Sequence, residues 1–245
     1  MRPVRKGSSP IQGDFNKYED AKNDLVSRLG TYCSYCERRV STNLAVEHLE
    51  PKKGAFSKPE LEKRWSNFLL ACVNCNSTKG DKQVDFSSLF FPDRDNTFHA
   101  FNYLPDGTVE PAESLPDDAK LIAQDTLELL GLDKPKQADI DHSGNQVALD
   151  RVSQRMSAWA NAEASKKLLN ESDSPQLRAF IAATTATSVG YFSVWMTVFE
   201  NDNDMKLRLI QAFKGTAVSG CFDMITGNPI TPAPNPDLLQ NGGKI

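Results

Sequence analysis

Histidine is scarce in this sequence, and cysteine is odd in number. Its 245 residues hold three histidines, His48, His99 and His142, and five cysteines. An odd cysteine count disfavours a full disulfide framework of the kind that staples small secreted domains. Net charge is modest, −4, which excludes a uniformly basic nucleic-acid coat. The opening MRPVRKGSSP lacks an apolar run after its basic residues. It does not read as a secretory signal, and a reducing cytoplasm is the expected compartment. Internal repeats and low-complexity blocks are absent. One stretch, Ala179 to Phe199, carries no formal charge over a length that could cross a bilayer. Its Thr184, Thr185, Thr187, Ser188, Gly190, Ser193 and Thr197 make it only moderately apolar, so a buried or partner-facing helix is expected there instead.

The chain is long enough for one large domain or two small ones. Its charge is unevenly placed. Residues 1–82 hold 15 Lys/Arg against 10 Asp/Glu, and residues 83–245 hold 13 against 22. A basic first third on an acidic remainder suits a head that handles polyanions and a body that does something else. Residues 1–15, turn-rich and basic, read as an extended arm. Tyr18 to Leu29 has helical spacing and a Gly30 stop. A short strand is expected over Val40 to Val46, ending at Glu47-His48. A short helix is expected over Pro59 to Trp65, a strand over Phe68 to Ala71, and a helix starting at Ser77. A hairpin around Pro105-Asp106-Gly107 follows. Helical patterns then cover Pro116 to Leu130, Asn145 to Leu169, Pro175 to Phe199 and Met205 to Phe213. Asn228 to Ile245 reads as a loose tail.

The chemistry concentrates between Cys33 and Lys82. Two Cys-x-x-Cys pairs, Cys33/Cys36 and Cys72/Cys75, supply the four thiolates of a closed tetrahedral Zn2+ site. Positions 37 to 71 intervene, more than a compact zinc ribbon needs, so a unit must fold out and return. The competing readings are two unconnected buried pairs, or a redox motif. The redox reading is weakened because neither pair lies in an evident βαβ unit. Zinc closed by four sulfurs has no open position for catalysis. His48 is then the candidate base. Glu47 and Asn76 offer hard oxygens that suit Mg2+. Neighbouring side chains on a strand point to opposite faces, so Glu47 and His48 share a site only where the strand ends or bends. Taken alone, His48 reads as a hydrogen-bonded surface residue and Glu47 as a solvated charge, and without further context that reading prevails.

The segments CSYC, AVEHLEPK and WSNFLLACVNCNSTKGD resemble the HNH (ββα-metal) endonuclease signature with flanking zinc cysteines. The resemblance implies an α+β fold, mostly α: a zinc-bound ββα-metal module with a helical C-terminal body. It implies that His48 activates the attacking water, that Asn67 holds the loop, and that Asn76 binds the catalytic Mg2+ or Mn2+ with Glu47. Glu47 departs from the Asp frequent at its position, and Asn76 stands where the family name expects His. The segments MRPVRKG, RLGTYCSYCERRV, AVEHLEPKK and PDRDNT resemble, more closely, the PtuB family, the HNH subunits of Septu anti-phage defence systems, some linked to retrons. That implies an ABC-type ATPase partner resembling PtuA, with DNA a more natural target than RNA. It also implies residues 1–110 as arm and nuclease module, and residues 111–245 as a docking region. A plain helical scaffold is the alternative for the second part. Lys52, Lys53, Lys79 and Lys82 flank the motif and are candidate phosphate contacts. Asp93, Asp95 and Asn96 suit either a metal site or a capped turn. His99 and His142 read as structural, and Cys221 has no assigned role.

Overall fold

The computed structural model describes residues 1–134 and 150–245. His142, and the start of the helix expected from Asn145, lie outside the described residues. The first regular element is a 3-10 turn, Tyr18–Ala21, that runs directly into α1 (Lys22–Leu29). Leu25 and Leu29 are one turn apart and both are buried, so this short helix is held by one apolar face.

A small ββα unit follows. β1 (Ala45–His48) and β2 (Phe68–Ala71) pair antiparallel, with Ala45 opposite Ala71 and His48 opposite Phe68. All four residues of β2 are buried. α2 (Val73–Lys79) begins one residue later, with Cys72 in extended backbone at its cap position. The helix expected from Ser77 therefore begins four residues earlier, and Cys75 and Asn76 sit inside it. The helix expected over Pro59 to Trp65 is replaced by two 3-10 turns, Pro59–Leu61 and Trp65–Asn67. The cause is competition for carbonyls. Glu62 O bonds the His48 ring, and Leu61 O is shared between Arg64 N, an i+3 turn bond, and Asn67 Nδ2, so neither carbonyl takes the i+4 bond of an α-helix.

β3 (Phe101–Tyr103) and β4 (Val109–Pro111) form the expected hairpin. α3 (Asp117–Leu130) buries Ala123, Leu127 and Leu130 on one side and ends at Gly131 in the left-handed region. α4 (Arg151–Glu171) is capped by Asp150, whose carboxylate accepts from Ser153 N at 2.7 Å. α5 (Pro175–Phe180), a π-helical stretch (Ile181–Ala186), α6 (Thr187–Val189), α7 (Phe192–Val198) and α8 (Asn203–Ala212) complete the helical part.

The single helix expected over Pro175 to Phe199 is thus broken. At Gly190 (φ 81°) and Tyr191 (φ 58°) the chain turns against residues 37–39. A Cβ on Gly190 would lie 2.8 Å from Arg39 N and 2.9 Å from Glu37 O, so close backbone approach demands glycine there. Among the described residues no helix is long and apolar enough to cross a membrane.

Two apolar clusters form the core. One joins α1, the ββα unit, the hairpin and α3 through Leu25, Tyr35, Phe68, Phe91 and Leu127. The other lies among α4, α7 and α8, through Trp195, Phe199, Leu209 and Phe213. Both chain ends depart from the sequence expectation of a loose arm and a loose tail. Met1 and Val4 are buried, as are Arg2 and Lys6. Arg2 donates to Leu29 O and Thr216 Oγ1, and Lys6 pairs with Asp93 at 3.3 Å. At the other end, Lys244 pairs with Asp95 at 2.9 Å, and Ala233 N donates to Ile245 O at 2.8 Å. Asn96 Nδ2 donates to Cys221 O and Ile230 O. Asp93, Asp95 and Asn96 are therefore occupied in clasping both chain ends.

Candidate active site and zinc cluster

The four cysteine sulfurs converge. Cys33 and Cys36 sit on a tight turn before β1; Cys72 and Cys75 sit at the start of α2. All four are buried, and their sulfurs lie within 4.8 Å of one another. Cys36 Sγ and Cys72 Sγ are 3.8 Å apart. A tetrahedron of sulfurs at about 2.3 Å from a central Zn2+ has edges of about 3.8 Å, so the donor set fits that ion. Cys221 is buried elsewhere, against Ser219. The turn is fixed by Ser34 N donating to Leu70 O (2.7 Å) and Cys33 N donating to Arg38 O (2.9 Å). This ties one pair of sulfurs to β2, which leads directly into the other pair.

His48 ends β1. Its Nε2 lies 2.8 Å from Glu62 O. A carbonyl oxygen only accepts, so Nε2 carries the hydrogen, and the neutral ring presents its lone pair at Nδ1. No described residue hydrogen-bonds Nδ1. The ring sits edge-to-face with Tyr18 (4.9 Å between centroids) and with Phe68 (5.3 Å). Burial holds its pKa below the ordinary imidazole value, against the opposing effect of the Glu62 carbonyl.

Asn67 is buried and works as a staple. Its Oδ1 accepts from Glu50 N (2.8 Å), and its Nδ2 donates to Glu50 O (3.0 Å) and Leu61 O (3.3 Å). It thereby joins the chain leaving β1 to the chain entering β2, and fixes the 3-10 turns that carry the Glu62 carbonyl. Asn76 lies in α2 with its side-chain amide unbonded among the described residues. His48 and Asn76 line one cleft of about 390 Å3, with Tyr18, Lys52, Lys53 and Asp81.

Glu47 does not line that cleft. Strand alternation turns it inward, where it is 1% exposed. Its Oε1 is 3.1 Å from Lys79 Nζ and 3.2 Å from Tyr35 OH. Burial pushes its pKa up, and Lys79 pulls it back. The expectation that Glu47 and His48 face the same site is not met in this arrangement. Lys79 lines the wall of that cleft but is not a free phosphate contact. It is 2% exposed, and its ammonium is spent on Glu47 and on His48 O (2.8 Å). Lys52 and Lys53 stand at the cleft, Lys52 with its ammonium 3.3 Å from the Tyr18 ring centroid and 3.6 Å from Glu62 Oε1. Lys82 is exposed and does not line it. Sequence reasoning missed Tyr18, Glu62 and Asp81 as neighbours of the site, because none carries a spacing signal.

Residues 33–82 match the HNH endonuclease family. The chain is also 31% identical, over 140 residues, to a protein of Vibrio cholerae serotype O1 biovar El Tor whose name marks it as a candidate HNH endonuclease of retron Vc95. That alignment covers 53% of this chain and 68% of the relative. The chain belongs to the HNH endonuclease family. It is a nuclease, and HNH domains are metal-dependent. Oxygen donors that line this HNH cleft include the Asn76 amide and the Asp81 and Glu19 carboxylates. Such a set suits a hard divalent ion that keeps several waters. Glu47, buried against Lys79 and Tyr35, does not face that set.

Proposed function

We propose that this HNH endonuclease hydrolyses phosphodiester bonds of invading DNA as the nuclease subunit of an anti-phage complex. Its partner would be an ABC-type ATPase of the PtuA kind, and the acidic helical part would dock on it. The observation that carries the catalytic part is the shared cleft of His48 and Asn76. An imidazole held by one nitrogen and unpaired at the other faces the same space as an unbonded amide.

In this reading His48 Nδ1 takes the proton of an attacking water. The Nε2–H bond to Glu62 O strengthens as the ring becomes cationic, which stabilises the protonated base. Asn67 keeps the Glu62 carbonyl in place. Lys52 and Lys53 attract backbone phosphates to the cleft. A Mg2+ or Mn2+ ion held by Asn76 would polarise the scissile phosphate and stabilise the leaving 3′ oxygen. The zinc pins the module and takes no chemical part, having no open position.

A retron assignment for the relative favours a second reading of target, an RNA effector that cleaves tRNA. One experiment separates these. Supercoiled plasmid and tRNA are offered side by side to the chain with Mg2+, Mn2+ or EDTA, using wild type and His48→Ala. Metal-dependent nicking of plasmid that His48→Ala abolishes supports the DNA reading. Cleavage of tRNA alone supports the RNA reading. No cleavage of either, alone or with the ATPase, would leave a zinc-bound nucleic-acid-binding module.

A further inference from the structure

Tyr18 lies outside the matched HNH segment, on the 3-10 turn before α1, and still reaches the centre of the site. Its ring packs edge-to-face on His48 with 4.9 Å between centroids and an interplanar angle of 70°. Phe68 also packs on the imidazole, at 5.3 Å and 86°. Phe68 is fully buried and belongs to β2, so it is fixed. Tyr18 is half-buried and lines the cleft with His48. The imidazole has one hydrogen bond, to Glu62 O. A single bond fixes a ring nitrogen but leaves the ring free to swing about that contact. Two aromatic rings at steep angles remove that freedom, and aromatic pairs of this geometry are individually stabilising.

We propose that Tyr18 is a positioning residue for His48: with Phe68 it confines the imidazole ring and keeps Nδ1 aimed into the cleft. The proposal rests on the reading of His48 as the base. Its ring, not its hydroxyl, does the work. Lys52, 3.3 Å from the Tyr18 centroid, holds the Tyr18 ring in turn, as a cation against a π-face. The anchoring of Lys52 by Glu62 Oε1 at 3.6 Å closes a ring of contacts Tyr18–Lys52–Glu62–His48. The nuclease module therefore borrows a part of its site from the segment that precedes its zinc cysteines.

The test compares Tyr18→Phe and Tyr18→Ala in the full zinc-loaded chain. Zinc content and thermal melting are measured first, to confirm folding. Cleavage kinetics should show kcat of Tyr18→Ala lowered by about tenfold to a hundredfold, with KM little changed, because a displaced base costs rate and not binding. Tyr18→Phe should retain wild-type kcat. Long-range 1H–15N spectra of the imidazoles provide a readout independent of activity, with His48→Ala identifying the His48 signals. Wild type and Tyr18→Phe should show one Nε2–H tautomer for His48, and Tyr18→Ala a mixed or exchange-broadened ring. An unaltered His48 spectrum in Tyr18→Ala would overturn the proposal. So would an equal kcat loss in Tyr18→Phe, or a change confined to KM, which would make Tyr18 a substrate contact. If His48→Ala still cleaves, the base reading fails on its own, and the imidazole spectra still decide whether Tyr18 fixes the ring.

Discussion

Lys79 and Glu47 form an ion pair of 3.1 Å, almost sealed from water, directly behind the strand end that carries His48. The same ammonium donates to the His48 carbonyl at 2.8 Å. One α2 side chain thus holds the backbone of the candidate base and neutralises the carboxylate beside it. Removing it leaves a buried carboxylate unpaired and a backbone carbonyl unbonded. Lys79→Ala should lower unfolding free energy by about 3–5 kcal/mol, measured by urea denaturation of the zinc-loaded chain. The double variant Lys79→Met/Glu47→Gln, which removes both charges, should recover much of that loss. An undiminished midpoint in Lys79→Ala would show the pair to be dispensable.

The His48 ring gives a signed pH expectation. Burial depresses its pKa in the fold below the ordinary imidazole value of about 6.5. The unfolded chain then binds more protons than the folded one between the depressed value and the ordinary value. The stability His48 contributes is complete above the ordinary value, and declines as pH falls through that window. The neutral base also persists to lower pH than a free imidazole would. The acid limb of kcat/KM against pH should therefore have its midpoint below about 6.5. A midpoint above that value would contradict the desolvated environment.

Zinc should be bound in a ratio of one per chain and be needed for folding. The sulfurs are already spaced for it, with Cys36 Sγ and Cys72 Sγ 3.8 Å apart. Cys72→Ser, or a strong chelator, should release the ion and unfold the module, because structural zinc supplies folding free energy directly. Metal release followed with a chromogenic indicator, beside circular dichroism, checks this. Cys221→Ser should leave zinc content unchanged, since Cys221 lies outside the cluster.

The lysines at the cleft should separate binding from chemistry. Lys53→Ala should raise KM for a nucleic-acid substrate, leave kcat near wild type, and flatten the slope of log affinity against log salt by about one. Lys82→Ala, at a position away from the cleft wall, should have the smaller effect on KM. Fluorescence anisotropy with a labelled duplex at several salt concentrations reads both.

Much of this architecture was legible in the residues. The β2 strand, the hairpin, and α3 with its Gly131 stop follow from spacing and turn chemistry. The Cys-x-x-Cys pairs identified the sulfur cluster. Other features were hidden for physical reasons. Glu47 and His48 are adjacent in sequence, and only the direction of a strand's side chains decides that one faces the core and the other the cleft. The uncharged segment read as one helix, because nothing local announces that Gly190 must admit the backbone of residues 37–39. Tyr18 is thirty positions from His48, and a contact made in space leaves no periodic trace. The chain ends looked loose by composition, yet the arginine and lysines they carry find buried carbonyls and carboxylates.

Glu37 follows the last cysteine of the first pair, and its carboxylate accepts from Ser193 N (2.7 Å), Ser193 Oγ (2.6 Å) and Tyr103 OH (3.1 Å). The turn that carries Cys33 and Cys36 and the first residues of α7 are consequently tied together. A fragment cut after residue 110 would strand that acid among apolar neighbours with two of these three donors gone. Anything that pulls on α7 from outside has a stiff two-residue lever onto the sulfur cluster.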